Sequence, residues 1–284
     1  MGSLKVVRAA SSGACFGVQR ALDMTLEAAD SGIDVCTLGP LIHNPLVVED
    51  LKARGIGVAD GVGDVTTAAV VIRSHGVVPE VITSLDMAGR RIIDATCPHV
   101  MRAQKAAARL ARDGYLVIVV GESGHPEVEG ISAHARAAGG VCLVVDSADQ
   151  VPAGVSDPVG IVIQTTQPRA KLDEVVAELT SRGLDPKICD TVCSATVHRQ
   201  EAASALAAEA DVMVVIGGRN SSNTTRLFEI CRSVCPRSHH IERADELDAS
   251  WFEPGFVVGV SAGASTPETQ IQEVVDALES IELA

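Results

Sequence analysis

The chain has 284 residues, 46% of them hydrophobic, and a formal net charge of −14. That length and apolar content suit a globular protein of one large or several small lobes, and the acidic balance excludes a nucleic-acid surface over most of the chain. No apolar run approaches the roughly 18 residues that span a bilayer, and Met1-Gly2-Ser3-Leu4-Lys5 lacks a signal peptide's apolar stretch. No membrane role and a cytoplasmic location are therefore expected. In that reducing compartment the eight cysteines are expected as ligands, redox groups or small buried hydrophobes, not disulfides.

A short strand near Leu4–Val7 leads through Ser11-Ser12-Gly13-Ala14 to Cys15 and a helix running to about Ala29. A strand near Val35–Leu38 and the loop Gly39-Pro40-Leu41-Ile42-His43-Asn44-Pro45 follow. Next come a helix, a short strand, a further strand at Val70–Ile72, the loop Ser74-His75-Gly76 and a closing helix with Pro79 near its start. The order then recurs. Strand Arg91-Ile92-Ile93-Asp94 leads to Cys97 at a helix N-terminus, with Pro98 in the first turn, where its missing N–H costs nothing. Val100, Ala103, Ala107, Leu110 and Ala111 give that helix one apolar face. Strand Leu116–Val120 and the loop Gly121-Glu122-Ser123-Gly124-His125-Pro126-Glu127 follow, then the surface connection Asp146–Pro158, strand Val159–Ile163 and Gln164-Thr165-Thr166-Gln167-Pro168.

The third copy runs from Lys187-Ile188-Cys189-Asp190 to Cys193 and an alanine-rich helix. Strand Val212–Ile216 and Gly217-Gly218-Arg219-Asn220-Ser221-Ser222-Asn223 come next, then Phe256–Val260, the loop Ser261–Pro267 and a last helix over about Pro267–Ile281. The interval from Cys15 to His43 recurs unchanged from Cys97 to His125 and from Cys193 to Ser221. Equal intervals mark true repeats. Strands alternating with helices predict an α/β fold of three pseudo-threefold-related lobes with mainly parallel sheets, their functional loops beyond the C-terminal strand ends. The lobes are expected at residues 1–96, 97–192 and 193–284, with the C-terminal helix closing a ring onto the first lobe.

Such a ring would gather Cys15, Cys97 and Cys193 at one axis. A helix N-terminus favours a thiolate, the metal-binding form. Three thiolates suit a [4Fe–4S] cluster with one open iron; zinc with a fourth close ligand is the alternative. Ser221, Ser222 and Asn223 before one helix, and Ser265 and Thr266 before another, suit phosphate oxygens at helix N-termini. His43, His75 and His125 add donors that are cationic when protonated. Glu127, the carboxylate beside a loop histidine, is the candidate general acid, because burial in such a pocket lets a carboxyl keep its proton near neutral pH. Thr165 and Thr166 are candidates for a proton path to it.

These motifs together resemble the 4-hydroxy-3-methylbut-2-enyl diphosphate reductase family: Cys-Phe-Gly-Val at Cys15, Ile-His-Asn-Pro at His43, Ser-His-Gly at His75 and Asp-Ala-Thr-Cys-Pro at Cys97. Gly-His-Pro-Glu-Val-Glu-Gly at His125, Gln-Thr-Thr at Thr165, Cys-Ser-Ala-Thr at Cys193, Asn-Ser-Ser-Asn-Thr at Asn220 and Ser-Ala-Gly-Ala-Ser at Ser261 extend the match over nearly the whole chain. The resemblance implies a [4Fe–4S] cluster on Cys15, Cys97 and Cys193 and reductive removal of an allylic hydroxyl, giving isopentenyl and dimethylallyl diphosphates. It implies Glu127 as proton donor with Thr165 in its network, and a diphosphate held by His43, His75, His125, Ser221, Ser222, Asn223 and Ser265. Single electrons imply a donor such as a ferredoxin or flavodoxin, for which Arg102, Lys105, Arg109 and Arg112 on one helix are the candidate docking charges. The chain departs from the family at Ala14, where an aromatic residue is usual beside the first cysteine, which puts local shielding of the cluster in doubt.

Two other readings stand beside this one: a quinolinate-synthase-type three-cysteine dehydratase, and a non-catalytic cluster- or diphosphate-binding sensor. Cys36 and Cys142 are expected as buried apolar residues within strands, and the pairs Cys189/Cys193 and Cys231/Cys235 as no separate metal site. His99, His134, His198, His239 and His240 are expected as surface polar groups.

Overall fold

The computed structural model describes residues 3–282. The elements before the second cysteine are β1 (Lys5–Arg8), α1 (Phe16–Asp30), β2 (Val35–Leu38), α2 (Pro45–Ala53), β3 (Gly57–Ala59), β4 (Ala69–Ile72), α3 (Pro79–Met87) and β5 (Arg91–Asp94). The next copy supplies α4 (Pro98–Arg112), β6 (Leu116–Val120), α5 (Pro126–Ala137), β7 (Cys142–Val145), β8 (Val159–Ile163), α6 (Arg169–Ser181) and β9 (Lys187–Cys189). The last supplies α7 (Ser194–Ala207), β10 (Val212–Ile216), α8 (Ser222–Val234), β11 (Ser238–Ile241), β12 (Val257–Ala262) and α9 (Glu268–Glu279). The chain divides into two compact units: Met1–Val18 with His43–Asp50 and Ser194–Ala284, and Gln19–Ile42 with Leu51–Cys193.

The first unit holds one parallel sheet of order β1-β12-β10-β11. The first strand of the chain lies beside the last, from Lys5↔Val257 to Arg8↔Val260. Arg8 then donates two hydrogen bonds, of 2.6 and 2.9 Å, to the Glu268 carboxylate in the first turn of α9. Period-two alternation splits the strand residues between two cores. Val212, Val214 and Ile216 pack with Ile271, Val274 and Leu278 of α9, while Met213 and Val215 pack with Ala203, Leu206 and Leu227 of α7 and α8. A sheet covered by helices on both faces has no polar side, which is why β10 reads as the unbroken apolar run Val-Met-Val-Val-Ile.

The second unit contains two parallel sheets of the same form, β3-β2-β4-β5 and β7-β6-β8-β9. In the latter, Val117 and Val119 face α4 and α5, and Ile118 and Val120 face Leu172, Val175 and Leu179 of α6. In all three sheets the strand before a cysteine takes the same edge: β1 beside β12, β5 beside β4, β9 beside β8. The three-lobed parallel α/β fold expected from the repeats is observed. Among the described residues no helix is long and apolar enough to cross a membrane.

Several local expectations change. Helix α8 begins at Ser222, so Ser222 and Asn223 lie inside its first turn and Ser221 alone precedes it as the N-cap. His239 and His240 are half-buried on β11: the His239 ring stacks on Trp251 at 3.8 Å and His240 Nε2 meets the Gly217 carbonyl at 2.8 Å. An edge strand flanked by aromatic side chains shelters them from solvent. Cys36 is buried as expected, but Cys142 opens its strand at the sheet edge and is half-buried.

Candidate active site

Each of the three cysteines is the residue before a helix: Cys15 before α1, Cys97 as the N-cap of α4, Cys193 before α7. All three are half-buried, and none of the eight cysteines is in a disulfide. A shared backbone device fixes them. The N–H of Cys15 donates to the Ala264 carbonyl at 3.0 Å, that of Cys97 to Ser74 at 2.9 Å, and that of Cys193 to Thr165 at 3.0 Å. Every acceptor sits in the loop after the strand that pairs with the cysteine's own strand. Each thiol is thereby tied to a polar loop of the sheet whose edge strand precedes it.

In the second unit those loops carry the candidate acid. Glu127, only 1% exposed, lies in the first turn of α5. Its Oε1 accepts the Thr165 backbone N–H at 2.6 Å and its Oε2 the Thr165 hydroxyl at 3.0 Å. Burial pushes the carboxyl up from 4.5 to about 7, against the lowering effect of the two Thr165 donors. Thr165 therefore joins Cys193 to Glu127: its carbonyl holds the cysteine's backbone while its N–H and hydroxyl hold the acid. The Thr166 hydroxyl accepts instead from Gln164 Nε2 at 3.2 Å. Of the two threonines, Thr165 is the one whose hydroxyl meets Glu127.

His125 is the N-cap of α5, and its Nδ1 accepts the Glu127 N–H at 3.1 Å. An Nδ1 that accepts leaves Nε2 as the ring's donor. The His75 ring meets it edge-on, with centroids 5.6 Å apart. Gln164 braces the two loops, its Oε1 accepting the Glu122 N–H at 3.0 Å and Gln167 Nε2 at 3.3 Å. Gly121 makes that approach feasible: a Cβ there would lie 2.7 Å from Val128 Cγ2 and 2.9 Å from Gln164 Cβ.

In the first unit the Ser265 hydroxyl donates to the His43 carbonyl at 3.0 Å, one residue beyond the carbonyl that holds Cys15. Asn44 ties this loop together from a buried position. Its Nδ2 donates to the Ser265 carbonyl and to Gln270 Oε1, both at 2.9 Å, and its Oδ1 accepts from the N–H groups of Leu46 and Val47 at the start of α2. Ser221 Oγ accepts the Thr224 N–H at 3.3 Å, so this hydroxyl caps α8. Asn223 Nδ2 is buried without a hydrogen-bond partner among the described residues. An orphaned donor in a helix's first turn suits an anion.

Arg199, buried on α7, donates Nη2 to the Gly13 carbonyl at 2.7 Å, two residues before Cys15. Asn44, Gln164 and Arg199 were not singled out from sequence. Their role is to place loops, and only a tertiary partner separates such a residue from any other buried amide or cation. Cys231 and Cys235 are buried in the first unit, with the Cys231 thiol pushed up to about 12 by burial and by its neighbour Cys235. Beside the half-buried Cys15, Ala14 is exposed and Phe16 is 70% exposed.

A family model described as "LytB protein" matches residues 6–279. The chain is 43% identical to the 4-hydroxy-3-methylbut-2-enyl diphosphate reductase of Geobacter sulfurreducens over 279 residues, covering 98% of each chain. It is 42% identical to that of Geobacter metallireducens over 281 residues, covering 99% of each. A solved (E)-4-hydroxy-3-methyl-but-2-enyl diphosphate reductase, described as the terminal enzyme of the non-mevalonate pathway, is 41% identical with a TM-score of 0.73, over 98% of this chain and 100% of that one. The diphosphate reductase structure from Plasmodium falciparum, at 23% identity, shares the fold with a TM-score of 0.88 over 97% of this chain and 88% of that one.

Proposed function

The chain belongs to the LytB family, and from that premise we propose that it reduces (E)-4-hydroxy-3-methylbut-2-enyl diphosphate to isopentenyl and dimethylallyl diphosphates. The reaction breaks the allylic C–O bond, forms one C–H bond and releases water, consuming two electrons and two protons. The observation that carries this reading is a buried carboxylic acid, Glu127, poised near neutrality and linked through Thr165 to a cysteine at a helix N-terminus.

An iron–sulfur cluster is the cofactor, with Cys15, Cys97 and Cys193 as its ligands. Two observations support that set: the three occupy equivalent strand–helix junctions with the same backbone tether, and thiolates are the donors that iron–sulfur clusters take. A [4Fe–4S] cluster held by three cysteines would supply single electrons and one iron with an unfilled position. The residues around it handle protons and phosphate. Glu127, half protonated at about pH 7, gives its proton to the departing hydroxyl. The two Thr165 donors, at 2.6 and 3.0 Å, then stabilise the carboxylate left behind. His125 and His75 donate to the anionic substrate, His125 through Nε2. His43, Ser221, Ser222, Asn223 and Ser265 take the diphosphate, with the dipole of α8 and the unpartnered Asn223 amide favouring negative charge. The electrons come from a one-electron carrier such as a ferredoxin or flavodoxin.

The test is Glu127→Gln, which keeps the shape and removes the acid. Substrate should still bind, read by isothermal titration, while turnover falls by about 100-fold or more. Turnover close to wild type would overturn Glu127 as the proton donor.

A further inference from the structure

Helix α4 carries no acidic residue, although the chain as a whole has 37. Its exposed face is Pro98, Arg102, Lys105, Arg109 and Arg112, a stripe at alternating spacings of three and four residues. From Arg102 to Arg112 the stripe is about 15 Å long. Elsewhere the exposed and half-exposed bases are commonly paired: Arg8 with Glu268, Lys171 with Asp146, Arg182 with Glu178, Arg219 with Glu246. Among the described residues none of the four bases on α4 has an ion-pair partner. The helix dipole accounts for part of this pattern, since cations are favoured in a last turn, and Arg109 and Arg112 lie there. It gives no reason for Arg102 or Lys105.

The position of the stripe does. The N-cap of α4 is Cys97, and Arg102 Nη2 donates to the carbonyl of Val192, the residue before Cys193. The row of unpaired cations thus begins beside two of the three proposed cluster ligands. Lys105 is only about 12 Å along the helix from Cys97. We propose that the exposed face of α4 is the docking surface for an acidic one-electron carrier protein, which passes electrons to the cluster past the Cys97 end of the helix. The proposal rests on the reductase reading above. One docking event delivers one electron, so two reduced carriers are oxidised for each allylic C–O bond broken. A net charge of −14 would repel an acidic carrier from most of the surface, and a local basic stripe orients the encounter.

The test uses the reconstituted holoenzyme and an acidic plant-type ferredoxin. The triple variant Lys105→Glu, Arg109→Glu, Arg112→Glu is compared with a control of equal charge change placed elsewhere: Lys52→Glu, Arg136→Glu, Arg232→Glu. Three readouts are taken: the Kd of oxidised ferredoxin, the KM for reduced ferredoxin, and turnover with reduced methyl viologen, a small carrier that needs no docking face. The α4 variant should raise Kd and KM at low salt by about tenfold or more and flatten their salt dependence, with viologen-driven turnover unchanged. An unchanged ferredoxin Kd in the α4 variant, or an equal rise in the control, overturns the docking surface. Absence of viologen-driven turnover in the wild type would instead sink the reductase reading, and the ferredoxin Kd would still decide whether α4 is a docking face.

Discussion

Replacing Thr165 with valine should move the alkaline limb of the pH–activity profile upward. The Glu127 carboxyl sits at about 7 because burial outweighs two hydrogen bonds, both from Thr165. Valine keeps the branched shape and the backbone donor at 2.6 Å but removes the hydroxyl that donates at 3.0 Å. A hydrogen bond to a charged group contributes about 1.5–3 kcal/mol, or roughly one to two pH units at about 1.4 kcal/mol per unit. That bond favours the ionised form, so losing it leaves the acid protonated to higher pH. The half-activity point, about pH 7 in the wild type, should rise to roughly pH 8 or above, while Thr165→Ser, which retains the donor, should return it towards 7. Steady-state turnover with a chemical one-electron reductant, normalised to each variant's own maximum, gives the profiles. A shift to lower pH, or none, would refute the claim that Thr165 tunes Glu127 through its hydroxyl.

Stability carries the same signature. Because the folded Glu127 carboxyl is raised from 4.5 to about 7, its contribution is fully present below pH 4.5 and is lost as pH rises to about 7. The loss amounts to about 3 kcal/mol, and urea unfolding of the apoprotein should show this slope in the wild type and not in Glu127→Gln. Gly263→Ala would bring a Cβ within 2.0 Å of Thr224 Oγ1. It should destabilise by about 1–3 kcal/mol, and adding Thr224→Ala should recover most of the lost denaturation midpoint. Asn44→Ala removes the acceptor for two N–H groups of α2 and the clasp on the Ser265 carbonyl. A loss of roughly 2–3 kcal/mol follows, with a higher KM for the diphosphate as the accompanying kinetic readout. Cys15→Ser, Cys97→Ser and Cys193→Ser should each lower bound iron after anaerobic reconstitution, whereas Cys36→Ser and Cys231→Ser should leave the iron-to-protein ratio unchanged if the chain folds.

The repeat was legible because equal sequence intervals survive wherever the elements between them keep their lengths. Cys15, Cys97 and Cys193 stand at matching junctions, and the strands near Val35, Leu116 and Val212 lie where the apolar runs put them. Glu127 was legible as an acid candidate because a carboxylate beside a loop histidine stands out. Commitments made by tertiary neighbours were hidden. The sequence treats Thr165 and Thr166 alike, yet one hydroxyl reaches Glu127 and the other Gln164. Either ring nitrogen of His125 could be the donor until the Glu127 N–H is found on its Nδ1. His239 and His240 read as surface groups because nothing local announces that Trp251 and the Gly217 carbonyl will cover them. The start of α8 moved by two residues for a related reason: Ser221, Ser222 and Asn223 can all cap, and the Thr224 N–H chose Ser221.

The most direct measurement is anaerobic reconstitution with iron and sulfide followed by product analysis after incubation with (E)-4-hydroxy-3-methylbut-2-enyl diphosphate and a one-electron reductant. The account predicts isopentenyl and dimethylallyl diphosphates, with two reducing equivalents consumed for each molecule of product. A cluster-loaded protein that leaves the substrate intact and shows no spectral change on its addition would contradict it.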